Sequence, residues 1–141
     1  MSRPDAHPRL MTTTDHLRGT AQRYADAWAA DDLDGILACY HPDFTLHYFG
    51  HSPYAGDHVG RDAAVATMLE VGAKAPWRLD EIEEVLAGPT SAIVVARLHI
   101  DVDGTTHPIR RLLRFRVTDG QFTDCWLYDE DQALVDRGWS S

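Results

Sequence analysis

Leu17, Ala21, Tyr24, Ala25 and Trp28 recur at i, i+4, i+7, i+8 and i+11, one continuous helical stripe with Asp15 as its expected N-cap. The stripe places Tyr24 and Trp28 on one buried face. After the acidic break Asp31-Asp32, Leu33, Ile36, Leu37 and Tyr40 keep helical spacing for a shorter second helix. His41-Pro42 is expected to close it, because the residue before a proline is pushed out of the helical region. Phe44 to Phe49 reads as a short strand, and Gly50 to Gly60, with three glycines and a proline, as a loop. Arg61 to Ala75 returns to helical spacing through Ala64, Val65, Met68, Leu69 and Gly72. From there the period is two. Trp77 to Leu86, Ala92 to Val102, Ile109 to Val117 and Phe122 to Tyr128 are four strand-like runs, and Asp103-Gly104 and Asp119-Gly120 join the last three as hairpins. Asp131 then caps a final turn, Gln132 to Arg137. This order predicts an α+β domain in which a curved antiparallel sheet wraps around N-terminal helices.

Residues 1–14 hold two prolines, a threonine triplet and a second methionine, Met11, and read as a flexible N-terminal arm before one domain over residues 15–141. With 44% hydrophobic and 25% charged residues in 141, the chain has the balance of a single soluble globular core. A formal charge of −9 works against nucleic acid as a partner. No apolar run approaches the roughly 20 residues that span a bilayer, and the first ten residues lack a secretory apolar stretch. Cys39 and Cys125 are too few for a disulfide framework and have no zinc-ligand spacing, which favours a reducing, cytoplasmic location.

One strand carries a charge where the pattern wants none. Along Ile109 to Val117 the odd positions read Ile, Arg, Leu, Phe, Val, so Arg111 is the single charge on the apolar face. It needs a partner such as Asp129 or Glu130, or a ligand anion. Arg110, Arg114 and Arg116 fall on the opposite face with Arg97, His99 and Asp101 of the neighbouring strand. Two registers are open for the last hairpin. A two-residue turn at Asp119-Gly120 pairs Arg111 with Tyr128 and turns Trp126 inward; a bulge turns Cys125, Leu127 and Asp129 inward instead.

The segments QRYADAWAADDLDGILACYHPDFTLHYFG, SPYAGDHVGRDA and DGQFTDCWLYDEDQALVDRGW resemble the nuclear transport factor 2-like superfamily, especially its SnoaL-like branch, over roughly Asp15 to Trp139. The resemblance implies a cone, a cystatin-like roll with one deep apolar pocket, often in a homodimer. Members include ketosteroid isomerases, polyketide cyclases, limonene epoxide hydrolases, scytalone dehydratases and non-enzymatic proteins, so the fold alone does not choose a reaction.

Tyr24 matches the helix-one tyrosine with which ketosteroid isomerases hold an oxyanion, but the positions of that family's two aspartates carry Tyr48 and Arg111. Without a carboxylate base that chemistry is excluded. Tyr48 matches a carbonyl-polarising tyrosine of scytalone dehydratases, whose other helix-one groups are replaced by Trp28 and Ala29. The Asp-Arg-Asp relay of limonene epoxide hydrolases is incomplete, His99-Ile100-Asp101 standing in its place. SnoaL-like cyclases place an aspartate just after a strand carrying tryptophan, as Trp126 is followed by Asp129. The expected site is therefore Asp129 as the proton-moving carboxylate, with Arg111, Tyr24 and Tyr48 stabilising an enolate. Trp28, Leu46, Tyr54, Met68, Leu98, Leu113, Trp126 and Tyr128 are expected to line the pocket. His47, His51 and His58 flank or occupy the loop over it and are candidates for acid/base work. The expected partner is a small, largely apolar carbonyl molecule; no cofactor and no metal is expected.

Overall fold

A computed structural model describes residues 12–140. Helix α1 (Thr13–Ala29) starts three residues earlier than an N-cap at Asp15 would place it. Its N-cap is Thr12, and Asp15 stands at the third helical position: the Thr12 hydroxyl accepts from the Asp15 amide and the Asp15 carboxylate accepts from the Thr12 amide. Residues 12–14, assigned to the arm by sequence, thus cap and open the helix; the rest of the expected arm lies outside the described residues.

Helix α2 (Leu33–Leu37) is capped by Asp32 and stops before Tyr40. Tyr40, His41 and Pro42 belong instead to β1 (Tyr40–Tyr48), because Tyr40 pairs across the sheet with Phe122, and that tertiary pairing overrides the local helical spacing. The ladder breaks between Tyr40 and Thr45, the interval holding Pro42, which has no N–H to donate. Part of the expected loop is also a strand, β2 (Gly56–Val59), paired antiparallel with β1.

Helix α3 (Arg61–Lys74) is followed by β3 (Trp77–Ala87), β4 (Ala92–Val102), β5 (Thr105–Thr118), β6 (Gln121–Asp129) and α4 (Gln132–Trp139). The six strands form one sheet in the order β2-β1-β6-β5-β4-β3, antiparallel except where β1 lies parallel to β6. Both hairpin dipeptides have positive φ at both residues, 54° and 75° at Asp103-Gly104, 52° and 75° at Asp119-Gly120, which is the conformation type I′ turns need. The helices pack against the sheet, α1 on β3 and β4, α3 on β1, α4 on β4 and β6. Between them Phe115 and Phe122 stack with ring centroids 3.7 Å apart, and Tyr24 meets both edge-on.

The β5–β6 register is the bulged one. Val117 pairs with Phe122 and Arg116 with Asp124, so Thr123 has no partner of its own. Beyond the bulge Phe115 pairs with Cys125, Leu113 with Leu127 and Arg111 with Asp129.

Gly50, at φ 95°, ends β1 beside α4, where a Cβ would meet the Asp136 carboxylate and the Gln132 amide. Those two side chains tie α4 down: Asp136 accepts from the His51 amide, and the Gln132 amide donates to the Phe49 carbonyl. Gly50→Ala is therefore expected to cost about 2 kcal/mol or more, strained φ and steric displacement together. Urea denaturation checks this, and a loss below about 0.5 kcal/mol would show that the α4 anchor yields freely.

Candidate functional site

A cavity of about 340 Å³ lies between the inner face of the sheet and helices α1, α2 and α3. Alternation along β1, β5 and β6 places its floor. Leu46 and Tyr48, Arg111 and Leu113, and Cys125 and Leu127 all point inward and line it. Helix α1 contributes Tyr24 and Trp28 one turn apart, α3 contributes Val65 and Met68, and Trp139 of α4 closes one end.

Exposure changes steeply along the cavity. At the floor Tyr24, Tyr48, Arg111 and Trp139 are all buried, whereas at the opposite end Leu33, Leu69 and Trp77 are 60%, 67% and 41% exposed. The cavity thus has a polar, aromatic floor and an apolar mouth.

Arg111 is the only charged side chain among the described residues lining the cavity. Its Nε donates to Asp129 Oδ1 at 2.6 Å and its Nη2 to Oδ2 at 3.2 Å, a two-pronged pair whose carboxylate is 1% exposed. Burial presses against the guanidinium charge, and the Asp129 carboxylate outweighs it, so Arg111 is held above the usual arginine range. Asp129 faces inward but stands behind Arg111 and is not part of the cavity wall.

Three phenols share the floor. Burial pushes the hydroxyls of Tyr24, Tyr40 and Tyr48 well above their ordinary range, with Arg111 pulling the other way on Tyr48 and, less, on Tyr24. The Tyr24 and Tyr40 rings pack with centroids 6.3 Å apart, and the Tyr40 hydroxyl lies 3.9 Å from the Met68 sulfur. At neutral pH these groups are protonated and donate. The Cys125 thiol, also in the wall, is likewise pushed up by burial. The floor can therefore present N–H and O–H donors to an oxygen of a bound molecule, set among apolar walls.

Of the residues expected from sequence, Tyr24, Tyr48, Arg111, Trp28, Leu46, Met68 and Leu113 line the cavity. Four expected lining residues do not. Leu98 is wholly buried in the core, and Tyr54 sits in the loop against its edge. Trp126 and Tyr128 face outward because the Thr123 bulge shifts β6 by one residue. There Trp126 stacks on His47 at 4.6 Å with Arg114 and Arg116 against its ring, and Tyr128 packs on Phe49 at 5.0 Å.

The loop histidines are engaged outside the cavity. His47 lies between Asp57 and Asp124 at 2.7 and 2.9 Å, His58 bonds the Tyr54 carbonyl, and the His51 amide bonds Asp136. His99 of the incomplete relay has its Nδ1 2.6 Å from Asp80 Oδ2. Lining residues outside the expected list include Tyr40, taken for the end of a helix, Trp77 and Trp139 at element ends, and Cys125 and Leu127, which only the bulged register turns inward.

A family model, the SnoaL-like domain, matches residues 21–125. Among solved structures, Bal32a from a soil-derived mobile gene cassette is similar at 21% identity and a TM-score of 0.77, over 91% of this chain and 99% of that one. A protein of unknown function with a cystatin-like fold from Xanthomonas campestris aligns at 19% identity and a TM-score of 0.79, over 93% and 100%. TerC, co-crystallised with polyporic acid, aligns at 18% identity and a TM-score of 0.70, over 85% and 98%. At these identities the likeness is one of fold.

Proposed function

We infer the function from the premise that the chain belongs to the SnoaL-like domain family: it binds a small, mostly apolar molecule in the cavity, reading one oxygen-bearing group of that molecule at Arg111, Tyr24, Tyr40 and Tyr48. The observation that carries this reading is a single cationic side chain, ringed by buried phenols, at the closed end of an otherwise apolar cavity. Asp129 is a positioning residue here. It occupies one edge of the guanidinium and leaves the remaining N–H groups to face the ligand. TerC, which shares the fold, was co-crystallised with polyporic acid, and that supports a small-molecule reading.

Binding is testable by intrinsic fluorescence, because Trp28, Trp77 and Trp139 line the cavity. Wild-type protein is expected to prefer 2-naphthoate to 2-methylnaphthalene by roughly 10- to 100-fold, the range of a hydrogen bond to a charged group. The variant Arg111→Met/Asp129→Leu, which removes both charges together, is expected to lose that preference and keep the hydrocarbon. Equal preference in both proteins would remove Arg111 as the reader.

Acid/base chemistry of the cyclase, isomerase or dehydratase type is the second reading, supported by the same donors, which suit a developing enolate oxygen. It also needs a base, and Asp129 reaches a ligand only when the ligand takes Arg111 from it. The test is hydrogen–deuterium exchange of 2-tetralone beside its carbonyl. Exchange faster with wild type than with Asp129→Asn supports catalysis; binding without accelerated exchange supports a binding module. Homodimerisation is part of the proposal too, on the outer sheet face, where Leu86, Phe49 and Tyr128 are exposed; a monomeric mass in sedimentation would end it. Two free, buried cysteines fit the cytoplasmic location expected from sequence.

A further inference from the structure

We propose that the ligand is a head-and-tail molecule: an anionic oxygen head at Arg111 and an apolar tail that leaves through the gap between α2 and α3. This rests on the reading of the cavity as a ligand site and adds which class of molecule enters it, and which way round. Polarity falls from the floor to the mouth. The cation stands at the closed end, while the mouth is rimmed by Leu33, Leu69 and Trp77, large apolar side chains left in water where a purely polar entrance would cost less.

The path also continues past the mouth. A further hollow shares Leu37, Val65 and Leu69 with the cavity and runs on along α3 to Arg61 and Asp62. A molecule filling the floor and extending past the rim therefore meets apolar surface first on the helix α2 side and then along α3. Charge at the rim sets its orientation. Exposed Asp31, Asp32 and Asp34 surround Leu33; on α3 Glu70 follows Leu69, and Asp62 is offset by Arg61 beside it. An anionic head is repelled at this rim and finds hydrogen-bond donors at the floor, from the phenols and from the guanidinium N–H groups that Asp129 leaves open, so the head lies inward and the tail stays at the mouth. The same acids oppose docking of the rim onto an anionic lipid surface, which leaves the tail of a bound molecule as the partner that fits these leucines.

The test is the affinity of a 4-alkylbenzoate series, methyl to octyl, for wild type, Leu33→Glu and Leu69→Glu, read by tryptophan fluorescence. Both leucines are exposed on helix surfaces, so the variants are expected to fold as wild type does. Affinity is expected to rise with chain length, by up to about fourfold per methylene buried. Each Glu variant is expected to weaken 4-octylbenzoate by tenfold or more and leave 4-methylbenzoate within about twofold. Short members binding with no gain on lengthening, or rim variants that do not discriminate by length, would overturn the proposal and leave the cavity reading standing. Failure of every member to bind would overturn both. A rim variant that changes the oligomeric state and not long-chain affinity would assign the leucines to a contact between copies and overturn the proposal as well.

Discussion

Asp129→Ala is expected to lower the free energy of unfolding by about 3–5 kcal/mol, because it leaves the Arg111 guanidinium buried with no countercharge. Tyr24, Tyr48 and Trp139 around it are a poor substitute, since neutral phenols and an indole ring 6.0 Å away cannot replace a two-pronged carboxylate. Arg111→Met alone is expected to be costly for the converse reason, leaving the carboxylate unpaired. The informative result is the pair. Replacing both, Arg111→Met/Asp129→Leu, removes the desolvation cost of two ions along with their attraction, and is expected to recover most of the loss or exceed wild type. Urea denaturation of the four proteins closes the cycle. Additive single losses in the double variant would show that the two charges do not depend on each other, and the site as described would fail.

Alkaline pH is expected to unfold the protein steeply. Tyr24, Tyr40 and Tyr48 are held protonated by burial above the value near 10 at which an unfolded chain releases those protons. Above pH 10 the folded state thus binds more protons than the unfolded one, and stability falls as pH rises. The contribution is complete below pH 10 and is lost at about 1.4 kcal/mol per pH unit for each phenol, about 4 for three. Set against a typical 5–15 kcal/mol, that places unfolding about one to four units above pH 10. Denaturation midpoints from pH 8 to 12, with phenolate absorbance recorded alongside, check this. Phenolate from these three should appear together with the loss of structure; reversible ionisation of all of them in an intact fold would mean that the floor is open to water.

Much of the architecture was legible because period-two and period-three-to-four patterns dominate the chain. The Ala92–Val102 strand was expected at its observed bounds, and Arg111 stood out as a lone charge on an apolar face before any partner was visible. What pattern could not decide was a choice of one residue. The Asp119-Gly120 turn fits either register, and only packing selects the bulge at Thr123, which buries Leu127 and Cys125 and sends Trp126 and Tyr128 outward. Tyr40 failed for a related reason: its spacing suits a helix, and the decision to extend it comes from Phe122, far along the chain. Asp129 was found by its inward position after the bulge and by resemblance, but its engagement with Arg111 depends on side-chain geometry that spacing does not encode.

The parallel pairing of β1 with β6 also sets an order of assembly. His47 and Asp124 meet across that ladder from 77 residues apart, and two of the floor's three phenols, Tyr40 and Tyr48, sit on β1. The β3–β4–β5 meander can close locally as it leaves the ribosome, but β1 has only the four-residue β2 beside it until residues past 121 emerge. Through most of synthesis Phe44, Leu46 and Tyr48 therefore stand on a strand whose main partner does not yet exist, an apolar edge exposed to neighbouring chains. The price of building a binding floor from both ends of the polypeptide is a nascent chain that cannot protect that floor until the last strand arrives.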